Sequence, residues 1–66
     1  MKISYNKLWK MLIDKNMNKH DLKVLAGVSS ASIAKLGKGD NITTDVLIKI
    51  CEALHCRLED IMETVE

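Results

Sequence analysis

Three side chains near the C-terminal end carry the chemistry of soft-metal ligands: Cys51, His55 and Cys56. Cys51 and His55 are four residues apart, which places them on one helix face, and His20 is a candidate from elsewhere in the chain. Structural zinc takes four ligands at recognisable spacings, and no second pair of ligands accompanies these. Cys51 also falls on an apolar stripe, where a buried thiol is common. No metal and no other cofactor is therefore expected. Two cysteines five apart in one helix are also poor disulfide partners. Enzymatic chemistry has little to stand on. There is no paired-carboxylate pocket and no nucleophile beside a base, and Gly37-Lys38-Gly39 lacks the strand that precedes a phosphate loop. Tyr5 and Trp9, the only aromatics, read as core and rim of a first helix, too few for a stacking platform for single strands.

The remaining chemistry is cationic. Net charge is only +1, but residues 1–41 carry eight lysines against three aspartates (+5). Residues 42–66 carry Lys49 and Arg57 against six acids (−4). Such a split suits one face for a polyanion and another for something else.

The elements that must position these lysines follow from periodicity. Sixty-six residues without proline, 47% of them hydrophobic, give one all-α domain over 1–66. Chains of this size gain from efficient helix packing or oligomerisation. Tyr5, Leu8, Trp9, Leu12 and Ile13 mark a first amphipathic helix, capped by Ser4 and running to about Asn16. Asn18 caps a second over about Lys19 to Leu25, with Leu22, Leu25 and Ala26 inward and Asp21 at its positive end. Gly27 ends it, Val28 faces the core, and Ser29 caps a third helix to about Leu36, with Ile33 and Leu36 buried. Residues 37–41 read as a loop. A fourth helix starts at Thr43 or Thr44 on the stripe Leu47, Ile50, Cys51 and Leu54 and ends near His55. Leu58, Ile61, Met62 and Val65 then predict a short acidic fifth helix, with Leu58 and Ile61 closing the core. No run reaches the roughly 20 apolar residues of a membrane span, and the N-terminus lacks the apolar core of a signal peptide, so a cytoplasmic, non-membrane protein is expected.

Helix, Ala26-Gly27-Val28-Ser29, helix is the informative unit. A short glycine-containing turn sets two short helices steeply, so that the second enters a major groove while the first braces across the backbone. With Leu22, Gly27, Val28, Ser29, Ile33, Leu36 and Gly39, the Leu47–Leu54 helix and Leu58-Glu59-Asp60-Ile61, the chain resembles the Cro and repressor-type helix-turn-helix family, also called the xenobiotic-response-element family, from about Tyr5 to Ile61. The resemblance implies a five-helix lambda-repressor-like domain. It also implies a sequence-specific regulator of transcription, of repressor type, that reads double-stranded DNA with helix 3. Lys23 departs from the pattern at a position where the family usually has alanine; its stem can pack while the amine reaches out.

Transferred residue by residue, the resemblance places Ser30, Ala31, Ser32 and Lys35 against base edges. Lys35 suits guanine O6 and N7, Ser30 several edges, and Ala31 a thymine methyl. Ser29, Lys19, Lys38 and Asn41 are phosphate candidates. Helix-turn-helix proteins commonly pair so that two recognition helices lie about 34 Å apart; Met62 and Val65, exposed on a terminal helix, are the expected homodimer interface. The alternative is an antitoxin-like or adaptor module that holds a protein partner through the same C-terminal helix.

Overall fold

Tyr5, Leu8 and Leu12 bury the inner side of a first helix, α1 (Asn6–Asp14). Leu22 does the same for α2 (Lys19–Ala26), Ile33 and Leu36 for α3 (Ser30–Lys38), and Leu47, Ile50 and Leu54 for α4 (Thr44–Leu54). These positions recur at three- and four-residue steps, so each helix turns one stripe inward. A computed structural model describes residues 1–66. Val28 and Ile61 complete one core, in which Leu8, Leu22, Leu36, Ile50 and Ile61 are almost wholly shielded from water. Full burial of each such side chain is worth about 1.5–3 kcal/mol.

The helix starts follow the capping chemistry. Asn18 Oδ1 accepts from the Asp21 amide (2.8 Å) and Asp21 Oδ2 accepts from the Asn18 amide (3.1 Å), a reciprocal box. Ser29 and Thr43 cap α3 and α4 by accepting from the Ser32 and Val46 amides. The first helix lacks such a cap. Tyr5, not Ser4, precedes it, and the Ser4 hydroxyl accepts from the Asn6 amide one position too early to be the cap.

All four helices end in one way. A left-handed residue follows each (Asn16, Gly27, Gly39, His55), and the next amide donates back five residues. The bonds are Met17 N–H to Leu12 O (2.8 Å), Val28 to Lys23 (3.2 Å), Asp40 to Lys35 (2.9 Å) and Cys56 to Cys51 (3.0 Å). Because the third of these turns falls at Gly39, Gly37 and Lys38 belong to α3 and not to a loop.

The fifth helix is not formed. Its place is taken by a single 3-10 turn (Leu58–Asp60) and a strand, β2 (Glu63–Val65). That strand pairs antiparallel with β1 (Lys2–Ser4), in the register Lys2↔Val65, Ile3↔Thr64, Ser4↔Glu63. An eight-residue helix containing Thr64 and Val65 has little intrinsic stability. Two β-branched residues opposite Lys2 and Ile3 fit a pleated pair instead. Lys7 fastens the segment to α1, its Nζ donating to the Glu59 carbonyl (3.0 Å) and lying 3.9 Å from Glu63. Three other expected core residues, Ile13, Leu25 and Leu58, are exposed. The helices of Ile13 and Leu25 bury one narrow stripe each, with these residues beside it, and Leu58 opens the 3-10 turn that replaces the fifth helix.

Candidate nucleic-acid interface

The pair α2 and α3 carries the site. After Gly27 (φ 68°) turns the chain, Val28 anchors the turn in the core and Ser29 starts α3. With Ile33 and Leu36 held inward, Ser30, Ala31 and Lys35 are exposed together on one side of α3, as expected of a reading surface. Neither Ser30 nor Lys35 has an intramolecular side-chain hydrogen bond or ion pair, so both are free to meet an external acceptor.

Ser32 is placed differently. It is half-buried, and its hydroxyl accepts from Ser29 Oγ at 3.1 Å, while the Ser32 amide donates to the same Ser29 oxygen. The two serines are first of all the cap of α3. Ser29 nonetheless sits beside the free amides of the helix start, where partial positive charge favours an anion.

Of the other expected phosphate contacts, Lys38 is exposed in the last turn of α3, and the neutral Asn41 is exposed in the link to α4. Lys19, the first residue of α2, is the most constrained. Its amine lies 4.7 Å from the centroid of the Trp9 ring, within cation–π range. A Cβ at Gly37 would come within 3.2 Å of the same Nζ. Trp9, half-buried on α1, thus acts as a platform that holds a lysine over the end of α3, and Gly37 leaves it room. The link is not readable from spacing, because Trp9 and Lys19 lie ten positions apart on different helices.

Between α2 and α3 runs a shallow groove lined by Lys19, His20, Lys23, Ser30 and Ile33. His20 and Lys23 therefore share a surface with α3, which the sequence-based assignment missed. The clue was available: a lysine where a small residue is usual, one helical turn from Lys19. Lys23 is half-buried, so its stem packs at the helix crossing.

The C-terminal residues do not form the expected helical stripe. Met62 is half-buried against the core, and Val65 is half-buried in β2 opposite Lys2. The feature that suggested an adaptor role through a terminal helix is thereby removed.

A description of the Cro/C1-type helix-turn-helix DNA-binding domain matches residues 7–66. The chain belongs to the Cro/C1-type helix-turn-helix family. Among solved structures, this Cro/C1-type domain is similar to the transcriptional regulator VanUg, with 50% identity and a TM-score of 0.92 over 97% of this chain and 85% of that one. No curated protein matches it. Four α-helices, not five, carry the Cro/C1-type fold here, and no helix is long and apolar enough to cross a membrane.

Proposed function

We propose that the chain is a transcriptional regulator of repressor type that reads duplex DNA by laying α3 in the major groove. The observation that carries this reading is the joint exposure of Ser30, Ala31 and Lys35 on a helix whose other side is locked into the core by Ile33 and Leu36. Lys35 presents donors to guanine O6 and N7, and Ala31 a methyl-sized surface to thymine. Ser30 donates or accepts. Ser32 is a weaker base contact than its position suggests, since its hydroxyl is engaged by Ser29. Lys19, Lys38, Asn41 and the capped start of α3 at Ser29 supply phosphate contacts, which set register and not sequence. The family membership and the likeness to VanUg support DNA binding as the general activity.

So modest a reading face favours two copies on a two-fold site. Pairing along the C-terminal strand, with Met62 and Val65 near the contact, is the arrangement proposed for the homodimer, because β2 in a two-stranded sheet has a free edge.

Selection of bound duplexes from a random library tests the proposal. It should return two half-sites related by a dyad. Binding should weaken steeply with salt as phosphate contacts release counterions. Lys35→Ala should cost about 1–3 kcal/mol and relax preference at one base position, whereas Lys38→Ala should weaken all sequences alike. Identical profiles for the two variants across the library would refute the division of roles, and absence of duplex binding at low salt would refute the function.

A further inference from the structure

The last helix end brings two thiols together. Within one continuous helix, residues five apart diverge, but α4 stops at Leu54 and His55 is left-handed (φ 54°). The chain then folds back, so that the Cys56 amide donates to the Cys51 carbonyl at 3.0 Å. In this type of helix end a side-chain contact between the two residues so joined is common, and here both cysteines line the same groove. The same pair of positions after α1 is Leu12, buried, and Met17, packed against the core; after α4 it is a pair of cysteines. Both are free thiols, both are half-buried, and both line one open groove with Ile48, His55 and Leu58. The helical spacing that made them poor disulfide partners in sequence is therefore broken at the decisive residue.

We propose that Cys51 and Cys56 form a dithiol site that reacts with a small-molecule disulfide of the glutathione class and closes to an intrachain disulfide. The Cys51 thiolate attacks one sulfur of the small disulfide, breaking its S–S bond and releasing one small thiolate. Cys56, having lost its proton to solvent, then attacks the Cys51 sulfur of the mixed disulfide and expels the second small thiolate. Two protein thiols are oxidised and one small disulfide is reduced to two thiols, which take up the two protons. Cys51 leads because Cys56 is held as the thiol. Burial, the neighbouring Cys51 charge, a hydrogen bond with Cys51 and the Asp60 carboxylate, against an opposing pull from Lys15, push the Cys56 thiol up to about 11. The groove admits the reagent to Cys51, and the turn at His55 supplies the second sulfur at high effective concentration. This site shares no residue with the α2–α3 interface.

Incubation of the native chain with oxidised glutathione, followed by intact mass spectrometry, tests this. The wild-type chain should lose two hydrogens and both alkylatable thiols, with no glutathione adduct accumulating. Cys56→Ser should stop at a stable adduct on Cys51, and Cys51→Ser should react several-fold more slowly than the wild type. His55→Gly, which keeps the left-handed turn without its side chain, should form the disulfide as the wild type does. A persistent glutathione adduct on the wild-type chain, disulfide-linked dimers as the main product, or two thiols still titratable after the guanidine-unfolded chain has oxidised would each overturn the proposal.

Discussion

The turn at Gly27 and the turn at His55 repeat one backbone device with different side chains. Both are left-handed, and both let the next amide reach back five residues. At Gly27 the residues so joined are Lys23 and Val28: one sends its stem along the helix crossing, the other plugs the core, and the outcome is a fixed angle between α2 and α3. At His55 they are Cys51 and Cys56, and the outcome is two sulfurs in a groove. A shared backbone geometry thus says nothing about use. What distinguishes the two ends is which side chains the geometry presses together and what they can do once there.

The largest test of the comparison asks whether both regions belong to one cooperative unit. Leu22 beneath the first turn and Ile61 beyond the second are both fully buried. Leu22→Ala and Ile61→Ala should each cost about 2–5 kcal/mol in denaturant unfolding. A negligible cost at Ile61 would mean that the C-terminal segment frays independently of the helices. Next come the turns themselves. Gly27→Ala meets no neighbouring atom within 4 Å, so its cost is backbone strain alone, about 1–2 kcal/mol. His55→Gly should instead stabilise by up to about 1 kcal/mol, since a non-glycine residue already bears that strain. Equal signs at the two positions, measured by thermal melting, would show that the shared φ does not govern them.

A smaller effect separates stability from binding. Gly37→Ala should raise stability by about 0.5–1 kcal/mol, because alanine is the better helix residue. It should also displace the Lys19 amine, which would lie only 3.2 Å from the new methyl, and so reduce affinity for duplexes of every sequence. Unchanged affinity by fluorescence titration would remove Lys19 from the phosphate contacts. The smallest expected effect is alkaline. Burial raises the Tyr5 phenol, and Cys56 is raised to about 11 from an ordinary 9.0. The folded state therefore holds these protons more tightly than the unfolded chain. The Cys56 share of that stability is complete below about pH 9 and is lost as pH rises toward 11. Cys56→Ser should flatten this decline in a pH series of urea midpoints; an unchanged slope would assign it to Tyr5.

Local chemistry was legible at most helix ends: Asn18, Ser29 and Thr43 cap as expected, Gly27 stands at its left-handed position, and Leu22, Ile33, Leu36, Leu47, Ile50 and Leu54 are the core, whereas the Ser4 cap and the end of α3 before Gly39 were not. Where a distant partner decides, the sequence was not enough. Leu58, Ile61, Met62 and Val65 have helical spacing, yet Ile3 and its neighbours recruit Glu63–Val65 into a strand. The exposed face of α3 was legible from Ile33 and Leu36. The hold of Trp9 on Lys19 was not, because it crosses between helices whose relative placement no periodicity encodes. For the same reason the residues expected from sequence at the α2–α3 surface did not include His20 and Lys23, which line its groove.

The pairing of β1 with β2 bears on the order of events during folding. Between Lys2 and Val65 lies nearly the whole chain, so this ladder closes the widest loop in the molecule, whereas the helix caps close loops of five residues. Closure entropy grows with loop length, and the helices can assemble before it is met. The strand pair is therefore expected to form on the downhill side of the folding barrier. Substitutions at Val65 or Ile3 should accelerate unfolding while leaving the refolding rate nearly untouched, a kinetic signature opposite to that of a residue in the folding nucleus.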